Sequence, residues 1–331
     1  MAILYDFPEI AIPTLMTYSM TFTFGVTGNA MIIIAVIRFC CLKTATNYLT
    51  MSLAVADLLV SLICVPFRTA ELFLSYWPLG GVMCKLLSYI RAVTTLASIL
   101  TLTAISLERW YVVIRPMQAR SVCTPGWAYR VIACVWMLSL SLSTPTLYAM
   151  VRYLTLDLRP SRNTWPQKSL SVIFSVYFAT LIFLPMFIML VAYSSTIYKL
   201  WFSTQTIQRD FDSGSCHVFR MMLTVVLLFL VCWGPHVVLG VLLKFGLVNP
   251  FTQEVYAMKI AFRLLSYLNS GLNPFCYNFM SKKFRRSFKR LLPKLFIEER
   301  PRRKEGHVYL LCDQGHKFAS EEPKATFFTR V

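Results

Sequence analysis

The sequence predicts an all-α membrane protein, a seven-transmembrane helix bundle with a short amphipathic eighth helix, and three observations carry that prediction. The 331 residues are 56% hydrophobic and 15% charged, with a mean hydropathy of +0.58, too apolar for an ordinary water-soluble domain. Apolar runs long enough to cross a bilayer, about 20 residues each, recur near 13–38, 46–74, 82–112, 127–148, 169–200, 217–245 and 253–279. The net charge of +18 gathers between these runs and after Ser281, which suits loops facing an anionic cytoplasmic leaflet better than a nucleic-acid partner. Arg38, Lys43, Arg115, Arg120 and Arg209 lie in the connections at 38–46, 113–126 and 201–216. By the positive-inside rule those connections and the tail are cytoplasmic and the amino terminus is extracellular.

Several function classes drop out at this level. The ten cysteines form no C-x-x-C pair and fall mostly inside apolar runs or at their cytoplasmic ends, so they read as packing residues rather than a zinc site. Met1 to Pro13 hold Asp6 and Glu9 but no basic segment or small-residue cleavage site, so the first span is expected to act as the insertion signal. No nucleotide loop, H-E-x-x-H, G-x-S-x-G or paired catalytic carboxylates stand out, and neither an enzyme nor a resident cofactor is expected. Residues 1–150 and 151–280 show no self-similarity, which speaks against a transporter built from repeated broken helices.

Each span carries a marker. Gly28-Asn29 belongs to the first, and Asn47-Tyr48-Leu49 precedes Ser52-Leu53-Ala54-Val55-Ala56-Asp57-Leu58 in the second. An Asp in mid-membrane costs about 2.5–3.5 kcal/mol on insertion scales, so Asp57 should have a polar partner. The third span begins near Cys84 and closes on Ser106-Leu107-Glu108-Arg109-Trp110, an acid beside a base at the cytoplasmic rim. Trp136 and Pro145 mark the fourth, Pro185 and Tyr193 the fifth. In the sixth, Cys232-Trp233-Gly234-Pro235 places a helix-loosening proline after a tryptophan. The seventh ends on Asn273-Pro274-Phe275-Cys276-Tyr277, where proline interrupts the backbone ladder and Asn273 can satisfy a freed group. Beyond it, 281–293 sets Phe284, Phe288, Leu291 and Leu292 on one face and basic residues on the other, a helix that lies on a lipid surface. The predicted organisation is thus an outer segment at 1–12, a bundle at 13–280, the surface helix and a cytoplasmic tail at 294–331.

In this order, over residues 28–277, the motifs resemble those of rhodopsin-like (class A) G-protein-coupled receptors, with Trp110 standing where the [DE]-R-Y motif has tyrosine. The resemblance implies an activation switch made of Glu108, Arg109, Tyr193, Trp233, Pro235, Asn273, Pro274 and Tyr277. In it Arg109 leaves Glu108 to meet a heterotrimeric G protein, and Tyr193 and Tyr277 swing toward Arg109. The bland alternative is an ordinary interfacial salt bridge. The resemblance also implies an allosteric sodium ion among Asp57, Ser98, Asn269 and Asn273, near Trp233. The alternative there is a protonated Asp57 bonded to Asn29 and Asn273. Arrestin and a receptor kinase are implied as further partners, in the plasma membrane. A non-signalling scaffold of the same fold is the competing reading.

Cations lie in the outer halves of the spans: Arg68, Arg91, Lys244, Lys259 and Arg263. Charged groups inside a membrane usually line a polar cavity. Arg91 falls 18 residues before Arg109, where receptors for amines carry an Asp, so an amine ligand is disfavoured. The candidate ligand-binding set is Arg68, Arg91, Thr94, Thr95, His236, Lys259 and Arg263, suited to a carboxylate, a sulfate or an acidic peptide segment. Snorkelling to water accounts for Lys244 and Lys259, and Glu71 can neutralise Arg68. Thr46-Asn47-Tyr48, Cys84-Lys85 and Arg115-Pro116-Met117-Gln118-Ala119-Arg120 resemble cholecystokinin and gastrin receptors. Tyr193-Ser194 and Val231-Cys232-Trp233-Gly234-Pro235 also resemble RFamide and orexin receptors, implying a neuropeptide ligand, with a lipid or small-carboxylate receptor as the alternative.

Against that pattern the chain shows departures. No cysteine lies between Cys134 and Cys216, so the second outer loop at 149–168 cannot supply the family's usual partner for Cys84. That disulfide is expected to be absent and the loop, with Arg152, Arg159 and Arg162, more mobile. No N-x-[ST] site occurs, and Cys312 is the sole, distant cysteine after the eighth helix. No acid at the start of the sixth helix can lock Arg109, so raised basal activity is expected.

Overall fold

The computed structural model describes residues 8–73, 80–157, 165–202, 213–249, 252–280 and 282–296. Among them the chain is helical throughout its long elements: α1 (Pro8–Arg38), α2, α3 (Gly80–Ile114), α4 (Pro125–Asp157), α5 (Trp165–Phe202), α6 (Ser213–Lys244), α7 (Gln253–Met280) and α8 (Lys282–Phe296). α2 comprises Ala45–Leu59, a π-helical turn at Val60–Cys64 and Val65–Phe73. A 3₁₀ turn (Cys40–Leu42) and a short helix (Pro116–Val122) fill the first two inner connections.

The helix ends follow local chemistry. Thr44 caps α2 by accepting the Asn47 N–H, and Thr124 accepts the Trp127 N–H at the start of α4. Pro116 opens the short inner helix, where its missing N–H costs nothing. α6 closes on Gly246 at φ 74°, with Leu247 N–H donating to Leu242 O and Gly246 N–H to Leu243 O, the reversed turn that only glycine enters without strain. Nothing stops α4 between Thr146 and Asp157, which hold neither glycine nor proline. The expected loop at 149–168 is therefore helical up to Asp157 and again from Trp165, and Arg159 and Arg162 lie outside the described residues.

Among the described residues, six helices are long and apolar enough to cross a bilayer; α7 is not one of them. Its sequence carries Lys259 and Arg263, and Ser266, Asn269, Ser270 and Asn273 are buried in the bundle. A helix surrounded by α1, α2 and α6 spends its polar face on neighbours, so composition alone understates it. α3 runs through the middle against α2, α4, α5 and α6. The largest core cluster gathers Leu49, Leu53, Leu96, Ile99, Leu102 and Phe229, while Met16, Leu184, Phe187 and Val231 face outward, as lipid-exposed side chains should. α1 meets its neighbours closely. A Cβ on Gly25 would stand 2.2 Å from Ser61 Oγ, and one on Gly28 would stand 2.6 Å from Pro274 Cβ. Small residues are what permit such contacts between membrane helices. α8 lies against α1 and α7, burying Phe284, Phe288 and Leu291 and leaving Arg285, Arg286, Lys289 and Arg290 exposed.

Candidate functional site

A cavity of about 430 Å³ opens between the outer ends of the helices. α2 brings Arg68 to it, α3 brings Arg91 and Thr95, α5 brings Phe174 and Phe178, and α6 brings Trp233, His236 and Lys244. Arg91 organises the floor: its Nη2 lies 3.1 Å from His236 Nε2. A guanidinium has no lone pair to offer, so Nε2 accepts and the imidazole proton sits on Nδ1. The same guanidinium stands 5.8 Å from the Trp233 ring centroid and 5.1 Å from that of Tyr267, within cation–π range. Trp233 in turn stacks on Phe229 at 5.9 Å, two residues before Pro235 within α6. A charge in the cavity is thereby in contact with the tryptophan at the helix's weakest point.

Halfway down, Asp57 is buried and accepts a 2.7 Å hydrogen bond from Asn273 Nδ2, with the Ser270 side chain also facing it. Asn29 does not join Asp57. Its amide donates to Gly25 O at 2.8 Å and Ser270 O at 2.9 Å, which corrects the alternative that paired the two. Ser98 and Asn269 are buried as well, Ser98 following Ala97 where α3 packs on Ala56 of α2. Asn269 Oδ1 and Asn273 Oδ1 are buried without a hydrogen-bond partner. The carboxylate of Asp57, the Ser98 hydroxyl and the two orphaned amide oxygens are all oxygen donors, the kind a hard cation such as sodium selects, and of these Asn273 is the one seen in contact with Asp57.

At the inner rim the contacts are closer still. The Thr46 hydroxyl lies 2.8 Å from both carboxylate oxygens of Glu108, and Arg109 Nη2 donates to Thr46 Oγ1. Arg109 Nε lies 3.6 Å from Glu108 Oε2. Trp110 donates its indole N–H to Ser195 Oγ on α5 at 3.1 Å, and the Ser106 and Tyr193 hydroxyls are 3.2 Å apart. Tyr277 is buried against Phe284, ring centroids 5.9 Å apart. Its hydroxyl makes no hydrogen bond of ordinary geometry, and Thr50 is the polar side chain facing it.

The profile of the 7 transmembrane receptor (rhodopsin family) matches residues 28–277. The chain belongs to that family. Galanin receptor type 2 of Mus musculus is 31% identical over 318 residues, covering 95% of this chain and 85% of the relative. The KiSS-1 receptor of Rattus norvegicus is 33% identical over 290 residues, 81% of this chain and 72% of its own length. Galanin receptor type 3 of Mus musculus is 32% identical over 296 residues, 86% and 78% respectively. This rhodopsin-family receptor is thus a multi-pass, G-protein-coupled membrane protein and not an enzyme. The relatives' names agree with a peptide-receptor group and do not single out the cholecystokinin, RFamide or orexin receptors.

Within the receptor the expected ligand set divides. Arg68, Arg91, Thr95 and His236 line the cavity. Thr94 does not: it is buried and donates to Ile90 O at 2.9 Å and Arg91 O at 3.0 Å. Lys259, half-buried on α7, and Arg263 lie off the cavity wall, whereas Lys244, exposed at the rim, does reach it. Phe174, Phe178 and Tyr267 were not singled out by sequence; an aromatic in an apolar run looks the same whether it faces lipid or cavity. Thr46 entered only through a resemblance, although as the second residue of α2 it puts a hydroxyl at the same rim as Glu108 and Arg109.

Proposed function

We propose that this receptor answers an extracellular neuropeptide, accepts an acidic part of it in the outer cavity, and passes the event to a heterotrimeric G protein. The observation that carries this is Arg91, which lines the cavity while touching His236 and Trp233 on either side of Pro235. A carboxylate competing for the guanidinium would loosen its hold on His236, and with it one state of α6 relative to the other. The relatives named for galanin and KiSS-1 support a peptide ligand. A cavity of about 430 Å³ suits a few side chains of a peptide rather than its whole length, so the remainder would lie across the outer rim.

At the other end, Arg109 is only partly buried, 24% of its side chain accessible, and is held by Thr46 and Glu108. Outward movement of α6 about Pro235 would free it for the G protein; Tyr193 and Tyr277 would then turn toward it. Asp57, Ser98, Asn269 and Asn273 would hold a sodium ion, whose charge would neutralise the buried carboxylate. In this reading the amino terminus is extracellular, the tail cytoplasmic and the membrane the plasma membrane. Arrestin and a receptor kinase would use the same inner face and tail.

The test is a panel of amidated, sulfated and acid-terminated peptides applied to the expressed receptor, read by G-protein dissociation. Activation by a peptide, abolished in Arg109→Ala with binding retained, is the expected result. Activation only by small carboxylates or lipids would replace the peptide reading. A ligand that binds while Arg109→Ala leaves G-protein dissociation unchanged would favour a scaffold.

A further inference from the structure

Beside the ligand cavity, and sharing Arg68, Ser88 and Arg91 with it, a second space of about 20 Å³ lies between α2, α3 and α7, lined also by Tyr267, Cys64 and Cys84. That volume has room for a water, a chloride ion or one oxygen of a carboxylate whose remainder lies in the larger cavity. Two donors that line it, Arg91 and Tyr267, have nothing negative to donate to, and Arg263 stands outside its lining but within electrostatic reach of both. Arg91's contacts are a neutral imidazole and two aromatic rings. Tyr267 is 2% exposed, and its hydroxyl is buried without a hydrogen-bond partner. Arg263 Nε is likewise buried and unpartnered. Among the described residues neither Arg91 nor Arg263 has a carboxylate partner. Like charges within electrostatic reach of one another repel, and each orphaned buried donor adds its own desolvation cost.

We propose that Arg91 and the Tyr267 hydroxyl, with the Arg263 charge flanking them, form a subsite for a small monovalent anion. Bulk chloride fills it in the unliganded receptor, and a carboxylate supplied by the ligand can take its place. The inference rests on the peptide-receptor reading only for that second occupant. An anion there relieves the repulsion between the two guanidiniums and satisfies the phenol in one step. It also makes the resting receptor responsive to the anion outside the cell, because the occupant competes with His236 and the Trp233 ring for Arg91.

The experiment uses the purified full-length receptor in lipid nanodiscs, with thermal unfolding followed in sodium chloride, sodium acetate and sodium gluconate at equal ionic strength. Holding sodium constant removes the Asp57 cluster from the comparison. Chloride and acetate are expected to raise the melting temperature by about 2 °C over gluconate, saturating with concentration. The rise should vanish in Tyr267→Phe and Arg263→Gln and persist in Lys289→Gln, which removes a charge from the exposed face of α8. Stabilisation by chloride alone assigns the subsite to the bulk electrolyte, and stabilisation by acetate alone assigns it to the ligand's carboxylate; either supports the subsite. Equal melting in all three salts overturns it, as does a chloride effect undiminished in both variants. No peptide or G protein enters the measurement. An anion effect without peptide activation would count against the peptide reading alone, and peptide activation without an anion effect against the subsite alone.

Discussion

The two ends of this receptor treat their charged groups in opposite ways. Around Glu108, Arg109 and Asp57 each charge is met, since Thr46 joins Glu108 to Arg109 and Asn273 reaches Asp57, while the Asn269 and Asn273 amide oxygens and the Tyr277 hydroxyl stay unpartnered. Toward the outside, Arg91 leans on rings and an imidazole, while Arg263 Nε and the Tyr267 hydroxyl have no partner. A half whose charges are paired internally holds one state and must be forced out of it. A half with donors to spare is completed by what arrives from solution. The division assigns stability of the resting state to the inner end and chemical selectivity to the outer end.

The strongest way to break that comparison is charge reversal at Arg91. In Arg91→Glu the potency of acid-bearing peptides should fall by about 100-fold, the order of losing a charge-assisted bond of about 2–3 kcal/mol. Peptides without an acidic group should be affected far less; dose–response curves for matched acidic and neutral peptides check this. Equal losses for both would mean a damaged fold rather than a lost anion contact. Next in size, Thr46→Val removes the hydroxyl shared by Glu108 and Arg109 at nearly constant volume. Ligand-independent nucleotide exchange should rise about fivefold, as expected for about 1 kcal/mol taken from the resting state. Basal exchange in membranes carrying the variant, normalised to receptor number, measures it. An unchanged rate would show that the Thr46 contacts do not hold the receptor at rest, and would leave the missing acid on the sixth helix as the simpler account of basal activity.

Much of the inner half was legible in the sequence, because its groups are sparse and come in motifs. Asp57 in an apolar run demanded a partner; of the two amides named for it, Asn273 meets it at 2.7 Å and Asn29 bonds to Gly25 O and Ser270 O instead. Glu108 and Arg109 are adjacent, so their pairing was visible without a fold. The outer half was legible only as composition. Thr94 and Thr95 are neighbours that one residue's rotation, about 100°, sends to different places. Both hydroxyls bond their own helix, but only Thr95 also lines the cavity. Tyr267 and Phe178 could not be told from lipid-facing aromatics, since period and hydropathy are the same on either side of a membrane helix. α7 was read as an apolar run at 253–279, which its hydropathy does not support; its Asn-Pro motif is the signal that survives where composition fails.

The seam between the halves gives the third prediction. Gly28→Ala would gain about 1 kcal/mol of helix propensity but bring its Cβ to 2.6 Å from Cβ of the rigid Pro274 ring. Overpacking of that kind costs about 1–3 kcal/mol, so the clash outweighs the gain. The melting temperature should drop by a few degrees, and the displaced Pro274 should disturb the Asp57–Asn273 bond one residue away. Gly240→Ala has nothing within 4 Å of the added carbon and should leave stability unchanged or raise it slightly. A destabilised Gly240→Ala beside a tolerated Gly28→Ala would invert the argument.

The smallest effect expected is at Trp110, and it separates the two halves most finely. In the inner half a single bond between α3 and α5 should bias the resting state without touching ligand chemistry. Trp110→Phe keeps an aromatic ring and loses only the N–H that reaches Ser195 Oγ at 3.1 Å. The site is partly open to water, so the loss lies below the usual value of about 1 kcal/mol for a hydrogen bond, and basal exchange should rise by about twofold. Ser195→Ala removes the same bond from the other side. If the bond is what matters, the double variant should rise no further than either single one, a coupling close to the whole effect. Peptide affinity in a receptor uncoupled from G protein should stay within about twofold in all three, since none of these side chains lines the outer cavity. Additive rises would mean that Trp110 and Ser195 act through separate contacts, and the inner half would then be a set of independent restraints rather than one closed network.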